Sequence, residues 1–196
     1  MYKDKINDIL LDLENKEIDI AGGAVVGMVL SITNSLIKYI SNLTIGKKKY
    51  VDVQEEVKNI LFDAEELKQN TLKIIDKDKE ILEEILSAYK LRKENMENYN
   101  NVNKKAVEFC MQVVEMAFET LKLTERISKV GNKMLASDFK VCASYSFASV
   151  ESAIVNVNIN LDSVNSDIYK HEVKNKCDII LKEAEKIKVN IYRGEI

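Results

Sequence analysis

Several residue types on which other folds depend are scarce in this sequence of 196 residues. It contains no proline and no tryptophan, and it has only six glycines. Strand-rich folds need a turn every few residues, and such turns draw heavily on glycine and proline. We therefore expect few strands, and the abundance of Lys, Glu, Ile, Leu, Asn and Ala favours helices.

Histidine and cysteine are also sparse, which excludes several kinds of site. The single histidine, His171, falls outside the apolar stripe of its segment, so its isolation argues against Ser-His-Asp or Cys-His catalysis and against a His-based zinc site. Cys110, Cys142 and Cys177 are odd in number, far apart and without CxxC spacing. Each lies among apolar residues, which indicates reduced core thiols in a cytoplasmic protein.

The charge balance argues against nucleic-acid binding. The formal net charge is −3, so the chain lacks the excess of positive charge that binds a nucleic-acid phosphate backbone non-specifically. The 46% apolar and 31% charged composition is that of a soluble globular protein. We expect a single domain over residues 1–196, which is long enough to bury a core without disulfides or metal.

Apolar residues recur at steps of three and four along most of the chain, the pattern of helices with one buried face. The predicted helices cover residues 2–14, 21–43, 50–91, 104–130, 137–162 and 167–192, with a break near 14–20, a polar loop at 94–103 and a helix end at Gly131-Asn132. This pattern predicts an all-α fold, an antiparallel up-and-down bundle of five to six helices. Segments 21–43 and 137–162 are mostly apolar, so we expect them to be central and partly covered by a second copy, as a homodimer.

One apolar run also fits the length of a membrane span. Residues 20–37 contain no charge and are flanked by Asp19 and Lys38. The run includes Ser31, Thr33 and Asn34, and a central helix of a soluble bundle explains it as well. A membrane-associated helical protein is therefore kept as an alternative to the expectation of no membrane contact.

Two carboxylates fall in apolar helical settings. Asp78 lies between Ile75 and Ile81 on the stripe of the longest segment, so it must be paired, protonated or lining a cavity. Asp138 follows Ser137 at the start of a nearly uncharged segment. The alternative for Asp138 is a structural role in the first turn of its helix, with Ser137 as the cap.

A glycine-punctuated turn follows the apolar helix and presents consecutive lysines. Lys47 and Lys48 come directly after Gly46, so backbone N–H groups and positive charge are offered to one small region, which suits an anionic ligand. A solvated run of charges is the alternative. Because glycine has no side chain, the pair Gly22-Gly23 at the start of the same helix could let the backbone approach a ligand or another helix closely.

Two asparagines lie one turn apart on the segment 137–162, which is rich in small residues. Asn156 and Asn160 could line a pocket, because a polar stripe on a buried helix often does. They could equally hydrogen-bond a neighbouring helix end.

Five stretches together carry a family resemblance. They are A-G-G-A-V-V-G (21–27), N-L-T-I-G-K-K-K-Y (42–50), I-I-D-K-D (74–78), G-N…S-D (131–138) and N-V-N-I-N-L (156–161). In this order they resemble the cyclodeaminase/cyclohydrolase family. That family includes the cyclodeaminase part of formiminotransferase-cyclodeaminase and stand-alone methenyltetrahydrofolate cyclohydrolases.

The resemblance implies an all-helical homodimer that acts on tetrahydrofolate one-carbon units, on a substrate with one or several glutamates. No metal and no cofactor beyond that substrate is implied. The reaction would be hydrolysis of 5,10-methenyltetrahydrofolate to 10-formyltetrahydrofolate, or closure of 5-formiminotetrahydrofolate with loss of ammonia. Carried over to this sequence, the site comprises Gly22, Gly23, Thr44, Lys47, Lys48, Asp78, Asp138, Asn156 and Asn160.

The resemblance also suggests a role for each group. Asp138 would be the acid/base, and Asp78 would be its partner or an anchor for the pterin, since burial tunes a carboxylate for proton transfer. Lys47 and Lys48 would attract the glutamate carboxylates. Asn156 and Asn160 would hydrogen-bond the pterin or orient water.

Two departures from the family pattern support an alternative. Ile20-Ala21 stands where the family usually has a proline, and the region N-V-N-K-K-A-V (101–107) lacks the usual arginine. If that arginine binds substrate, Lys104 or Lys105 would have to replace it, and such a replacement is not neutral at a carboxylate site. The alternative is an inactive helical scaffold or a folate-binding protein of the same fold.

Overall fold

The computed structural model describes residues 2–15 and 21–194, and almost all of them are helical. The α-helices are α1 (Tyr2–Glu14), α2 (Gly22–Asn42), α3 (Gln54–Lys90), α4 (Met96–Val130), α5 (Ala136–Asp162) and α6 (Asp167–Arg193), with 3₁₀ segments at Lys48–Val53 and Lys133–Leu135. No strand occurs in this part of the chain, so the all-α prediction is confirmed. Most of the break predicted near residues 14–20 lies outside the described residues.

Helices α2 to α6 form an up-and-down bundle. Gly23 of α2 faces Asp78 of α3, and Lys38 further along α2 pairs with Glu65, so residue numbers rise in α2 as they fall in α3. Contacts between α3 and α4 and between α4 and α5 show the same reversal. None of the described side chains of α1 is buried, so the core belongs to the five longer helices.

The two apolar helices predicted to be central pack against each other and against α4. Helix α4 lies deepest, since it packs against all four of the other long helices. Both α2 and α5 keep one face exposed, with Ile32 and Tyr39 on α2 and Val155 and Ile159 on α5.

Helix α2 is long and apolar enough to cross a membrane by length and composition alone. However, 56% of its most apolar window is buried inside the bundle. On the buried side, Ser31 hydrogen-bonds Thr71 of α3 at 2.9 Å, and Asn34 donates to Thr120 of α4 at 3.1 Å. These polar pairs between helices support the role of α2 as a core helix.

The polar loop predicted at residues 94–103 is wrong, because α4 begins at Met96. The Asn95 side chain accepts a hydrogen bond from the Asn98 N–H at 2.9 Å and caps the helix. The added turns are mostly polar, so they lack the apolar stripe on which the prediction relied.

The junction between α4 and α5 is tight. Helix α4 ends at Gly131 as predicted, and a Cβ there would lie 2.5 Å from the Ile127 carbonyl oxygen, so only glycine fits. Helix α5 begins at Ala136, directly after the second 3₁₀ segment. Ser137 therefore lies inside the first turn and is not its cap.

Candidate functional site

A small cleft lies where the N-terminus of α2 meets the middle of α3, and we call it the Asp78 cleft. It is lined by Gly23, Asp78, Phe109, Cys110, Val113, Ala153 and Asn156. Its volume is about 10 Å³, which is room for roughly one water molecule. Among its lining residues, Asp78 and Asn156 carry the strongly polar side chains.

Asp78 is partly buried and binds the start of α2. Its Oδ2 accepts a hydrogen bond from the Ala24 N–H at 3.1 Å, so the carboxylate takes one of the free backbone donors that a helix N-terminus offers. Burial raises the pKa of Asp78 above its usual 3.8, and the Ala24 hydrogen bond offsets part of that rise. Of the three situations expected for Asp78 from the sequence (paired, protonated or lining a cavity), this geometry corresponds to a carboxylate that lines a cavity.

Gly23 makes this approach possible. A Cβ at Gly23 would lie 2.0 Å from Asp78 Oδ1, a separation that no real pair of atoms can adopt. A Cβ at Gly22 would meet Asn156 Oδ1 at 3.8 Å, which is ordinary contact. Of the two glycines, Gly23 is thus the one that the cleft requires.

The two asparagines of α5 differ in their surroundings. Asn156 lines the cleft. Asn160 donates its amide to the Asn156 carbonyl oxygen at 2.8 Å and to Cys110 Sγ at 3.5 Å. Burial, with the Asp78 charge as a second cause, raises the pKa of Cys110 to about 11, so the sulfur is a neutral thiol. Asn160 therefore supports the cleft from behind.

The turn after α2, residues 44–50, is clamped to the junction between α4 and α5, and we call it the lysine turn. The Thr44 hydroxyl is fully buried, accepts from the Asn132 N–H at 3.0 Å and donates to the Ile40 carbonyl at 2.8 Å. Gly46 has a φ of 75°, and its N–H donates to Gln54 Oε1 at 2.8 Å. These bonds fix the turn from both sides.

The exposed side chains of the lysine turn are the lysines. Lys47 and Lys48 are exposed, and within the described residues neither ammonium has a carboxylate partner. Direct substrate contact was predicted for Thr44, and this does not fit its buried and doubly bonded hydroxyl. We revise Thr44 to a residue that positions the turn.

Asp138 lies in the first turn of α5, near the lysine turn and far from the Asp78 cleft. It is half-buried, and its charge contributes to raising the pKa of Cys142 to about 12, after burial. Asn156 follows it on α5 by about five turns, or about 27 Å. The predicted partnership of Asp138 with Asp78 therefore does not hold within one chain.

The nine predicted residues thus form two groups at opposite ends of the bundle. Gly22, Gly23, Asp78, Asn156 and Asn160 meet at one end. Thr44, Lys47, Lys48 and Asp138 lie at the other, since α2 alone separates Gly22 from Thr44 by about 30 Å.

The sequence interpretation missed Phe109 and Cys110, which form the wall of the cleft. Both belong to the apolar stripe of α4, so nothing in their spacing distinguished them from ordinary core residues. Beyond Phe109, a groove of about 280 Å³ runs between α3 and α4. Lys105 lies on its rim and pairs with Glu84 at 2.6 Å, whereas Lys104 lies over the Tyr169 ring. Neither lysine lines the Asp78 cleft.

Across residues 2–15 and 21–194, no group of three or more His, Cys, Asp and Glu side chains is placed to hold a metal ion. The three cysteines are buried and free, as the sequence predicted.

Comparison with known proteins agrees with the fold and with the motifs. A profile of the formiminotransferase-cyclodeaminase family matches residues 5–179. The methenyltetrahydrofolate cyclohydrolase of Methylorubrum extorquens is 27% identical over 178 residues, which is 87% of this chain and 86% of that protein. The formimidoyltransferase-cyclodeaminase of Sus scrofa is 24% identical over 172 residues, 83% of this chain but only 31% of that longer protein.

A solved structure is similar as well. The crystal structure of formiminotetrahydrofolate cyclodeaminase from Thermotoga maritima superposes with a TM-score of 0.78 at 28% identity. The superposition covers 92% of this chain and 87% of that one.

Proposed function

Because this chain belongs to the formiminotransferase-cyclodeaminase family, we propose that it acts on a one-carbon unit carried by tetrahydrofolate. The reaction is hydrolysis of 5,10-methenyltetrahydrofolate, or closure of 5-formiminotetrahydrofolate with loss of ammonia. The observation that carries the proposal is the Asp78 cleft, where a partly buried carboxylate of raised pKa adjoins space for one water.

The hydrolysis requires one water and three proton transfers, and it releases one proton overall. The methenyl carbon lies between two nitrogens that share a positive charge, so it accepts a water oxygen once that water loses a proton. Asp78 takes this proton, and the raised pKa of its carboxyl suits it to hold the proton and return it. The carbon–N5 bond then breaks as the new hydroxyl on that carbon loses its proton and N5 gains one, so the product is 10-formyltetrahydrofolate and one proton is released to solvent.

The remaining groups position the substrate. The Asn156 amide adjoins the same water site and would orient the water or bond the pterin ring. Lys47 and Lys48, at the opposite end of the bundle from the cleft, would attract the far carboxylates of an extended glutamate tail, since both ammonium groups are exposed and lack a carboxylate partner among the described residues. Asp138 stays a candidate acid/base. We further propose that the protein is cytoplasmic and needs no metal or other cofactor.

The test is the loss of near-ultraviolet absorbance of 5,10-methenyltetrahydrofolate on addition of purified protein, with the uncatalysed opening subtracted. We expect acceleration that Asp78→Asn reduces by at least about a hundredfold, the scale of a lost acid–base group. Asp76→Asn is the matched control, because Asp76 is exposed on the same helix and touches no part of the cleft. Full turnover by Asp78→Asn would show that Asp78 is not the group that transfers the proton.

A folate-binding protein without catalysis is the second candidate. It is favoured by the position of Lys104 and Lys105, since neither lysine takes the place of the missing family arginine at the cleft. Calorimetry with 5-formyltetrahydrofolate separates the two cases. Binding without turnover of either substrate would support this candidate, and binding with turnover would eliminate it.

A further inference from the structure

Three walls of the Asp78 cleft belong to the packed interior of the bundle. Cys110 and Val113 of α4 and Ala153 of α5 are each at most 7% exposed, and the two helices that carry them pack against each other. Such walls cannot retreat without moving a helix, because side chains in a core are close-packed. A cavity of about 10 Å³ between them holds one molecule of the size of water and nothing larger.

The carboxylate of this cleft has no cationic partner in the part of the chain that the structure describes. Its Oδ2 is taken by the Ala24 N–H, whereas Oδ1 makes no hydrogen bond with these residues. Lys77, which precedes Asp78 in the sequence, is bound to Glu80 at 2.6 Å. A partly buried carboxylate without a cation favours a ligand that brings a positive charge or a proton.

We propose that the Asp78 cleft binds ammonium as well as water, and that Val113 and Ala153 exclude every larger amine from it. Ammonium and water are nearly equal in size, whereas a methyl group adds a volume that this cavity does not have. The charge of ammonium also offsets the buried charge of Asp78, so the cleft favours it over a neutral molecule of the same size. The inference rests on the proposed function and names the small reactant of the same site.

The Asp78 carboxyl can exchange a proton with the bound nitrogen. Burial raises the pKa of Asp78, which brings it closer to the pKa of ammonium. The bound pair is either a carboxylate with ammonium or a carboxylic acid with ammonia, and the two forms differ only in the position of one proton. The cleft can therefore present ammonia as a nucleophile, which ammonium itself is not.

Ammonia in the cleft adds to the methenyl carbon in the place that water takes in the hydrolysis. The nitrogen forms a bond to the carbon and gives up one proton, which Asp78 accepts and passes to N10. The carbon–N10 bond breaks, and its electron pair binds that proton. The product is protonated 5-formiminotetrahydrofolate, and the total charge is unchanged. Closure with loss of ammonia is the same path in reverse.

Competition between nucleophiles tests the inference. The protein is incubated with 5,10-methenyltetrahydrofolate in ammonium chloride or in methylammonium chloride, at equal concentrations of free amine and equal ionic strength. The products are separated and identified by mass spectrometry, and the uncatalysed reactions are subtracted. We expect 5-formiminotetrahydrofolate in proportion to free ammonia, and at least about tenfold less of the N-methyl product, the scale on which a closed pocket rejects one extra carbon.

Substitutions in the wall test the exclusion of larger amines. Val113→Ala removes two methyl groups from the wall and should raise the yield of the N-methyl product at least about tenfold. Val114→Ala is the matched control, because it makes the same change at a fully buried residue outside the cleft, and it should keep the wild-type preference. Ala153→Val should fill the cleft and reduce the reactions with water and with ammonia together.

Three results would overturn the inference. Use of methylamine as readily as ammonia by the wild-type protein would show that the nucleophile reaches the carbon from open solvent. Hydrolysis without any ammonia product would show that ammonium does not enter the cleft. Equal gains by Val113→Ala and Val114→Ala would show that loosening of the core, and not the wall of the cleft, admits the larger amine.

Ammonium binding can also be measured without turnover. At equal ionic strength, ammonium chloride should raise the midpoint of thermal unfolding by about 2 °C relative to sodium chloride and to methylammonium chloride, because a ligand of the folded state stabilises it. Asp78→Asn should remove this difference, and Asp76→Asn should keep it, since Asp76 is exposed outside the cleft.

This second measurement separates the inference from the proposed function. If the wild-type protein turns over neither folate substrate, the proposed function fails. The thermal shift then decides the inference by itself. A shift that is specific to ammonium and depends on Asp78 supports the ammonium site, and the absence of such a shift overturns it.

Discussion

Gly23 and Asp78 approach so closely that no side chain fits between them. A Cβ on residue 23 would lie 2.0 Å from Asp78 Oδ1 and 2.6 Å from its Cγ. The contact joins the start of α2 to the middle of α3, and it holds the carboxylate at the Ala24 N–H. The Asp78 cleft and the N-terminus of α2 therefore both depend on the contact between Gly23 and Asp78.

Gly23→Ala should be destabilising because the Asp78 side chain must leave its place and lose the Ala24 hydrogen bond. We expect a loss of about 1–3 kcal/mol in the free energy of unfolding, measured by urea denaturation. Gly22→Ala is the matched control for stability, since its Cβ meets only ordinary contact. Equal stability of the two variants would show that the Gly23 contact carries no constraint.

Asp78→Asn should change how stability depends on pH. Because the pKa of Asp78 is raised in the folded state, the group favours the folded form below its unfolded value near 3.8 and loses that contribution as pH rises through the folded pKa. The asparagine oxygen can still accept from Ala24. Relative to wild type, the variant should therefore gain free energy of unfolding between pH 3 and neutrality. A difference that is constant across this range would contradict the prediction.

Thr44→Val should act on stability through the lysine turn. Removing the hydroxyl leaves the buried Asn132 N–H without its 3.0 Å acceptor, which costs about 1–3 kcal/mol. Thr44→Ser keeps the hydroxyl and should lose less. Thermal unfolding of the pair measures the difference, and a valine variant as stable as the serine variant would show that the clamp is dispensable.

Lysines of the lysine turn and Lys105 should differ in their effect on substrate binding. Lys47→Ala and Lys48→Ala should each raise KM by about tenfold at low salt, because each removes a charge proposed to attract the substrate tail. Lys105→Ala should leave KM within about twofold, since that ammonium is paired with Glu84 outside the cleft. Initial rates at two ionic strengths check this prediction. If Lys105→Ala raised KM more than the other two variants, the substrate tail would instead be assigned to the groove between α3 and α4.

The thiols should be unreactive until the protein unfolds. Burial raises the pKa of Cys142 to about 12 and that of Cys110 to about 11, so little thiolate exists at pH 8. Titration with Ellman's reagent should detect no rapid reaction in the folded protein and all three thiols in urea. Fast reaction of the folded protein would contradict the packing around these residues.

The helices could be predicted from the sequence because their apolar stripes are regular, and the start of α4 could not because its first turns are polar. Asp78 could be singled out since a carboxylate on a buried stripe needs a partner. Its partner, the Ala24 N–H, carries no side-chain signal. The distance between Asp138 and Asp78 follows from the up-and-down order of the helices, whereas the motifs that suggested a partnership carry no information on position along the bundle. Thr44 was misread because its motif points to a ligand while its hydroxyl is committed to the backbone.

The order of the helices has a kinetic consequence. Each long helix from α2 to α5 packs against the one that follows it, and the chain contains no proline. Folding therefore requires mainly contacts between neighbours in sequence and no prolyl isomerisation, so the chain should refold in a single fast phase.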